Sequence, residues 1–501
     1  MSNIRRQSII SSVIVYFGFA LGFVNTYLYT REGSFTENQY GLTQAFLAIA
    51  QLMFSVASLG MHSYIYKFYP YYNDNLPPKK NDMLTVALFS SLMGFILVCG
   101  AGLVLKDLVI RKFGTNAPDL IRFYYWLFPF GLGLTIFSIL EAYAWQLKKS
   151  VLTNFLREVQ FRLFTTILIV LFFIGVITRF DNFIRIYSLT YLLLALVLAG
   201  YLLYSRRIYL TLKFSRVTRK FYKKILALCA FVWGGGLVFT LSNVFDTIVL
   251  MAVMPDGFVF VAIYSLAQNI ASLIQAPQRG IISASIGPLS KAWKDKDFAR
   301  INKIYSRSSI NLLLFSVAMY SLILLNFKDG IITFSMKDTY LSALPVFILI
   351  GCMRILDMGT GLNAQIIGTS TYWRFEFFTG IILLSMVLPL NYLLTRQFGV
   401  IGPAISNLIG FTIYNGIRYT FLYRKFGMQP FTSKTLYTVL LGAGSFLICY
   451  LLFNDYLGIG WIILRSCCFI LLFGGAAVFF NLSPDLIPVL GTLQKKIRLK
   501  K

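Results

Sequence analysis

Ionisable residues inside long apolar stretches are the residues of this chain best suited to chemistry. Arg354 and Asp357 stand three residues apart in a Gly-rich apolar stretch, and this spacing places both on one face of a helix. A guanidinium can bind phosphate oxygens through two parallel hydrogen bonds. Arg354, held by Asp357, is therefore a candidate phosphate or sugar contact; the alternative is a self-neutralised pair that serves helix packing.

Four further polar residues are candidates for binding. Arg279 follows Gln275 and Pro277, and we expect Arg279 and Gln275 at a substrate cavity, where the arginine would meet a pyrophosphate. The alternative for Arg279 is a side chain that extends to the membrane interface. Asp246 and Glu141 are candidate sites for a coupling ion, H⁺ or Na⁺, because buried carboxylates in membranes often serve such roles. The alternative for both is a structural hydrogen bond.

Other chemistries lack the residues that they need. His62 is the only histidine of the sequence, so a zinc site or a His-dependent triad has almost no ligands. The six cysteines lie in apolar blocks, where cysteine behaves as a small hydrophobe. No Gly-x-x-x-x-Gly-Lys loop occurs, which argues against ATP hydrolysis within this chain. Glu158 and Arg162 are expected to form a structural i,i+4 pair. We predict no metal and no cofactor.

The elements that must position these residues are long apolar blocks. The chain of 501 residues is 57% hydrophobic and 13% charged, against roughly 25% charged residues in soluble domains. Blocks of roughly 20 residues cross a hydrocarbon core about 30 Å thick as helices. We predict an all-α integral membrane protein of about fourteen spans, at 8–29, 39–67, 82–105, 119–145, 155–177, 183–204, 225–251, 258–286, 309–327, 341–366, 376–395, 401–423, 434–453 and 461–480.

The distribution of cations predicts the orientation. Most of the 46 lysines and arginines fall in one alternating set of loops and in the two ends of the chain. Cationic loops resist translocation, so we predict that these loops and both termini are cytoplasmic. The net charge of +27 is then mainly a topological signal that also attracts anionic phospholipids. Because the charge is spread over many short loops, we expect no nucleic-acid partner.

A basic segment divides the chain into similar parts. We predict an N-terminal six-helix bundle at 1–205, a basic cytoplasmic linker at 206–224, and a C-terminal six-helix bundle at 225–423. Helices 13 and 14 and a basic tail occupy 424–501. The motif Tyr-x-Leu-x-Gln occurs at 40–44 and again at 264–268. Six-helix repeats that start on the same side are related by an axis along the membrane normal, which predicts two pseudo-symmetric bundles around a cavity.

Several motifs resemble polysaccharide flippases of the multidrug/oligosaccharidyl-lipid/polysaccharide exporter superfamily. Their order and spacing are more specific than any single motif. They are Asn-x-x-Asp-x-x-x-Leu at 243–250, Ile-Tyr-Ser-x-Ala at 263–267, Pro-Leu-Ser at 288–290, an acidic turn at 294–298, Asn-Ala-Gln-Ile-Ile-Gly at 363–368 and Gly-x-x-Gly-x-Ala at 399–404. The chain departs from the family at Ala262, where glycine is usual, and at Pro403, where alanine is common.

The resemblance implies a transporter rather than an enzyme. It implies a flippase that moves undecaprenyl-pyrophosphate-linked oligosaccharide or polysaccharide repeat units across the bacterial inner membrane by alternating access. A glycan polymerase or glycosyltransferases of the same pathway, including lipopolysaccharide synthesis, would be its partners.

Three alternatives remain open. A cation-coupled drug exporter of the same superfamily would share the two bundles, but usually has twelve helices. A lipid II flippase also has about fourteen helices, but it relies on several arginines in the cavity of its amino-terminal bundle. In this chain, Arg122 and Arg162 are expected near helix ends, which leaves the middle of that bundle without an arginine. A membrane-bound polysaccharide polymerase or ligase would carry a large outer loop, and the predicted outer loops are short.

Overall fold

The structure is a computed structural model that describes residues 3–205, 208–211 and 213–485. Helices dominate these residues, and no β-strand occurs among them. The predicted fold class, an all-α membrane protein, is confirmed.

The helices up to residue 253 in the described part of the chain are α1 (Asn3–Thr30), α2 (Glu37–Ala57), α3 (Met61–Asn75), α4 (Met83–Val104), α5 (Lys106–Phe113), α6 (Pro118–Arg122), α7 (Leu127–Gln146), α8 (Ser150–Asn154), α9 (Phe161–Phe173), α10 (Phe180–Ser188), α11 (Thr190–Tyr204) and α12 (Arg216–Val253). Short 3-10 helices occupy Pro78–Lys80 and Tyr124–Trp126, and a π-helix occupies Phe155–Gln160.

The helices that follow are α13 (Gly257–Ala271), α14 (Gln278–Lys294), α15 (Phe298–Thr333), α16 (Ala343–Gly359), α17 (Asn363–Gly368), α18 (Trp373–Phe398), α19 (Gly402–Phe426), α20 (Ser433–Phe453) and α21 (Ile459–Phe479). Further 3-10 helices lie at Ser272–Gln275, Asp338–Ser342 and Gly399–Ile401.

Eleven stretches of the described residues are long and apolar enough to cross a membrane, and Ile14–Thr30 is a shorter apolar helix. One of the eleven, Arg374–Phe426, contains both α18 and α19. The chain is therefore a multi-pass membrane protein. The number of fourteen spans stays a prediction.

Polar side chains fix where several helices begin. At α2, the Thr36 hydroxyl accepts from the Gln39 N–H at 3.2 Å, and Gln39 Oε1 accepts from the Thr36 N–H at 2.9 Å. This reciprocal cap satisfies two backbone donors that the helix itself leaves unpaired. At α15, Asp297 accepts from the Arg300 N–H at 2.9 Å. The acidic turn of the sequence motif at 294–298 therefore caps a helix.

Two predicted spans are broken where glycine allows a close backbone approach. The predicted span 39–67 is α2 and α3, separated at Gly60, which has a φ of +73°. A Cβ there would lie 2.6 Å from the carbonyl oxygen of Cys229. The predicted span 341–366 is α16 and α17, separated at Gly361, which has a φ of +67° and lies against Ser309. Only glycine adopts such backbone angles without strain, so these glycines end helices that hydropathy alone extends.

Residues Met1–Ala262 form one compact unit. Its helices pack through small residues: a Cβ at Gly133 of α7 would lie 2.2 Å from the backbone nitrogen of Leu192 in α11, as in other closely packed membrane helices. Large aromatic side chains are fully buried in this unit, among them Phe35, Tyr40, Phe46, Phe130, Phe183 and Tyr187.

Helix α12 belongs to this first unit. Its Trp233 donates the indole N–H to the carbonyl oxygens of Ser55 and Val56 in α2, at 3.1 and 3.0 Å. The boundary after Ala262 therefore comes later in the chain than the linker expected at 206–224. The predicted division into 1–205, 206–224, 225–423 and 424–501 stays a prediction.

Residues Ile263–Lys501 form the second unit. One buried apolar cluster joins α14, α15, α17 and α19, and another joins α15, α20 and α21. Next to the second cluster, Arg465 of α21 donates to Asp329 Oδ2 at 3.0 Å and to the carbonyl oxygens of Leu325 and Tyr456, each at 2.8 Å. A buried ion pair thus attaches α21 to α15.

Candidate functional site

The most distinctive local feature of the first unit is the π-helix Phe155–Gln160 between α8 and α9. A π-turn holds one residue more than an α-turn, and such turns are frequent at functional sites. Arg157 lies on this turn, and its guanidinium donates to Glu141 Oε2 of α7 at 2.7 Å. The predicted span 155–177 contains Arg157 near its start, but the sequence indicates no partner for it. The structure pairs it with Glu141 on another helix.

Glu141 is almost fully enclosed. Its side chain is 5% exposed, whereas that of Arg157 is 38% exposed. Glu141 Oε1 is buried and has no hydrogen-bond partner among the described residues. A buried carboxylate depends on its cation, because an unpaired charge in an apolar setting is costly. The charge state of Glu141 is therefore tied to the position of the Arg157 guanidinium. The predicted role of Glu141 as a coupling site stays a prediction.

Arg157 also lines a cavity of 250 Å³ within the first unit. Side chains of α2, α7, α11 and α12 complete the wall, and the lining residues are Leu47, Gln51, Phe54, Leu134, Arg157, Tyr191, Phe239, Thr240 and Asn243. The cavity combines one guanidinium, three neutral polar side chains and several aromatic and aliphatic surfaces. Ligand sites are commonly apolar cavities with a few convergent polar groups.

The chemistry of this cavity favours an anionic, hydroxyl-rich ligand. Because Arg157 uses Nη1 for Glu141, other N–H groups of its guanidinium can donate to phosphate or sugar oxygens. Gln51 and Asn243 each carry an amide that can donate and accept. The aromatic rings of Tyr191 and Phe239 offer flat apolar surfaces. No side chain of this wall is a nucleophile paired with a base, so the cavity is suited to binding rather than to covalent chemistry.

The predicted i,i+4 pair adjoins the π-turn and is confirmed: Arg162 Nη1 donates to Glu158 Oε2 at 2.8 Å. The Arg162 guanidinium lies against α1, where a Cβ on Gly18 would come within 2.8 Å of it. Asn25 of α1 donates to the Arg162 carbonyl oxygen at 2.8 Å. These contacts fix α1 to α9 and agree with a structural role for the pair.

Asp246 lies on α12 in the first unit and is 2% exposed. An ionisable group this deep in an apolar helix is costly unless it is compensated. Its predicted role in ion coupling stays a prediction.

In the second unit, Asp357 is the centre of a polar network. Asn415 of α19 donates to Asp357 Oδ1 at 3.1 Å, and Gln278 of α14 donates to Oδ2 at 3.3 Å. Asn415 Oδ1 accepts in turn from Thr360 at 3.2 Å and from Asn363 at 2.9 Å. The network joins four helices, α14, α16, α17 and α19, at the point where α16 ends, so Asp357 has a structural function.

The other predicted cavity residues of this unit are placed as follows. Arg354 is half-buried and lies one turn before Asp357 on α16. Gln275 is half-buried at the end of the 3-10 helix Ser272–Gln275. Arg279 is in the first turn of α14, and its side chain lies outside the described residues. The predicted substrate contacts of Arg354, Asp357, Gln275 and Arg279 stay predictions.

Sequence reasoning missed a second buried ion pair in this unit. Arg418 of α19 donates through Nε to Glu376 Oε2 of α18 at 2.8 Å and through Nη2 to Glu376 Oε1. The guanidinium also lies 3.5 Å from the ring centroid of Tyr414. The partners are far apart in the sequence, so no local spacing indicates the pair. Arg418 stands in an apolar stretch, however, and that position alone signals a buried partner.

Metal ligation finds no support in the described part of the chain. No group of three or more His, Cys, Asp or Glu side chains there is placed to hold a metal ion.

The sequence of residues 4–293 matches the family described as polysaccharide biosynthesis protein. This match covers more than half of the chain and includes the whole first unit from residue 4 onward. None of the curated proteins matches the sequence.

Solved structures share the fold at low sequence identity. The lipid II flippase MurJ in an inward closed conformation superposes with a TM-score of 0.72 at 16% identity, over 96% of this chain and 100% of MurJ. A MATE transporter in complex with MaL6 gives a TM-score of 0.57 at 15% identity, over 83% and 94% of the two chains. An outward-facing multidrug resistance MATE transporter of the MOP superfamily gives 0.54 at 14% identity, over 83% and 94%.

Proposed function

Because the chain belongs to the polysaccharide biosynthesis protein family, we propose that it is a flippase for undecaprenyl-pyrophosphate-linked oligosaccharide repeat units. It would move this cargo from the inner to the outer leaflet of the bacterial inner membrane by alternating access. The fold is that of transporters rather than enzymes. The cation-rich loops, and with them both termini, would face the cytoplasm.

The cavity of the first unit is the observation that carries this proposal. It presents the guanidinium of Arg157 on a wall that also offers amides and aromatic rings. A pyrophosphate needs cationic donors with fixed geometry, which a guanidinium supplies. Sugar hydroxyls pair with amides such as that of Gln51, and sugar faces pack on rings such as that of Tyr191. A cationic drug, by contrast, would meet a like charge in this cavity.

Ion coupling follows from the contact between Arg157 and Glu141. When the guanidinium turns to a cargo phosphate, Glu141 loses its cation, and the uncompensated carboxylate becomes costly in its buried setting. Uptake of a proton from water neutralises it. Binding of the anionic cargo and binding of a proton would then favour each other. Asp246 is a second candidate for a coupling ion, H⁺ or Na⁺.

Lipid II is the second candidate cargo. The argument against it was an amino-terminal bundle without the several cavity arginines on which such a flippase relies, and Arg157 at the cavity wall supplies one of them. The similarity to MurJ over nearly all of both chains shows the common fold. Both cargoes carry a pyrophosphate, so they differ only in the glycan or peptide beyond it.

Deletion and complementation test the proposal. In a deletion strain, we expect undecaprenyl-linked oligosaccharide to accumulate on the cytoplasmic leaflet and lipid II to stay normal; the reverse would identify the lipid II flippase. Wild type should restore export, and Arg157→Ala should not. The matched control is Arg122→Ala, which removes an exposed arginine paired with Asp181. Export restored fully by Arg157→Ala at normal expression would reject the cavity as the cargo site.

A further inference from the structure

A groove of 590 Å³ runs between α18 and α19 in the second unit. It shares no lining residue with the cavity at Arg157 and no residue with the Asp357 network. The lining residues are Phe375, Ile413, Gly416, Ile417, Thr420, Phe421, Arg424 and Lys425. Most of them are apolar, and the two cations follow one another in the last turn of α19. The groove thus has an apolar length and one basic end.

The basic end is exposed and partly fixed in place. Arg424 and Lys425 are both exposed. The Lys425 ammonium lies 3.8 Å from the ring centroid of Tyr372 and 5.8 Å from that of Phe421, which are cation–π distances. Phe421 stacks on Phe375 with ring centroids 4.1 Å apart. These aromatic contacts hold the ammonium at the edge of the apolar groove.

Glycine keeps the middle of the groove open. Gly416 is one of the lining residues, and a Cβ built on it would meet no atom within 4 Å. On the same helix, Gly410 is close-packed instead, because a Cβ there would lie 2.3 Å from Val387. Gly416 is exposed, and the space beside it is unfilled by the protein itself.

We propose that this groove binds an anionic phospholipid, with one acyl chain along α19 and the phosphate at Arg424 and Lys425. The apolar length of the groove accepts a hydrocarbon chain, and its two exposed cations match a lipid phosphate in charge. The positive-inside pattern puts this end at the cytoplasmic leaflet, where anionic lipids are concentrated. The site does not depend on the proposed cargo.

Lipid binding to the full-length protein in nanodiscs of phosphatidylcholine tests the proposal, with labelled phosphatidylglycerol as the probe. Wild type should bind phosphatidylglycerol in preference to labelled phosphatidylcholine. Gly416→Leu should abolish this binding, because the new side chain fills the groove. Arg424→Gln with Lys425→Gln should weaken it roughly 25-fold, since each cation near an anionic headgroup contributes about fivefold.

Matched controls separate groove binding from general effects. Gly444→Leu introduces the same side chain at a helical glycine that is equally open but lies on α20. Arg111→Gln with Lys112→Gln removes two cations from the end of α5. Both controls should bind as wild type does. Unchanged phosphatidylglycerol binding in Gly416→Leu or in the Arg424/Lys425 variant would overturn the proposal. Equal binding of phosphatidylcholine, or displacement of phosphatidylglycerol by undecaprenyl phosphate, would overturn it as well.

Discussion

Replacing Arg465 by leucine removes the cation that holds α21 on α15. The side chains of Arg465 and Asp329 are 4% and 1% exposed. In Arg465→Leu, Asp329 keeps its contact with Thr333 at 2.5 Å and with the Gly458 N–H at 3.0 Å. These neutral donors do not compensate a buried charge. Breaking one side of a buried ion pair costs about 3–5 kcal/mol, so we expect a loss of unfolding free energy of that size.

A double-mutant cycle measures this loss. The unfolding free energy is followed in mixed micelles for wild type, Arg465→Leu, Asp329→Leu and the double variant. We expect the double variant to recover most of the loss, because apolar residues of similar size can replace a buried pair at little cost. A loss below about 1 kcal/mol in Arg465→Leu, the value of an exposed pair, would refute the reasoning. A double variant that does not recover the lost unfolding free energy would refute it too.

Three further substitutions have defined outcomes. Glu141→Gln should fold normally but remove the pH dependence of transport in proteoliposomes; an unchanged pH profile would exclude Glu141 as the proton site. Gly133→Leu should prevent accumulation of folded protein, because the new side chain would collide with the α11 backbone. The control Gly200→Leu on α11 places the same side chain in open space and should accumulate normally. Size-exclusion chromatography measures the folded protein in both. Arg418→Lys should lower the thermal unfolding temperature, since a lysine cannot make the two-pronged contact with Glu376; an unchanged temperature would show that charge alone suffices.

Hydropathy predicted the bounds of the helices best where a span is one unbroken helix. The last two spans, expected at 434–453 and 461–480, are Ser433–Phe453 and Ile459–Phe479. It failed at Gly60 and Gly361, because those breaks depend on backbone from elsewhere in the chain. An apolar run does not show which distant helix will approach it.

The candidate site was harder to predict than the fold. Glu141 was identified from its type and setting, but its partner Arg157 was not, because the two lie on different helices and the π-turn that carries Arg157 leaves no mark in hydropathy. The pair of Arg418 and Glu376 joins different helices, so no spacing within one helix indicates it. The predicted roles of Arg354 and Asp246 depend on a bound cargo or ion, so transport by variants of these two residues would test them.

The extra residue of the π-helix Phe155–Gln160 also decides which deletions the chain tolerates at this place. Because a π-turn holds one residue more than an α-turn, deletion of one residue from it would leave an α-turn and keep the rotation of α9. Arg162 would then stay against Gly18, and Asn25 would keep its bond to the Arg162 carbonyl. Deletion of one residue early in α9 itself, by contrast, would rotate the rest of that helix by about 100° and detach it from its neighbour.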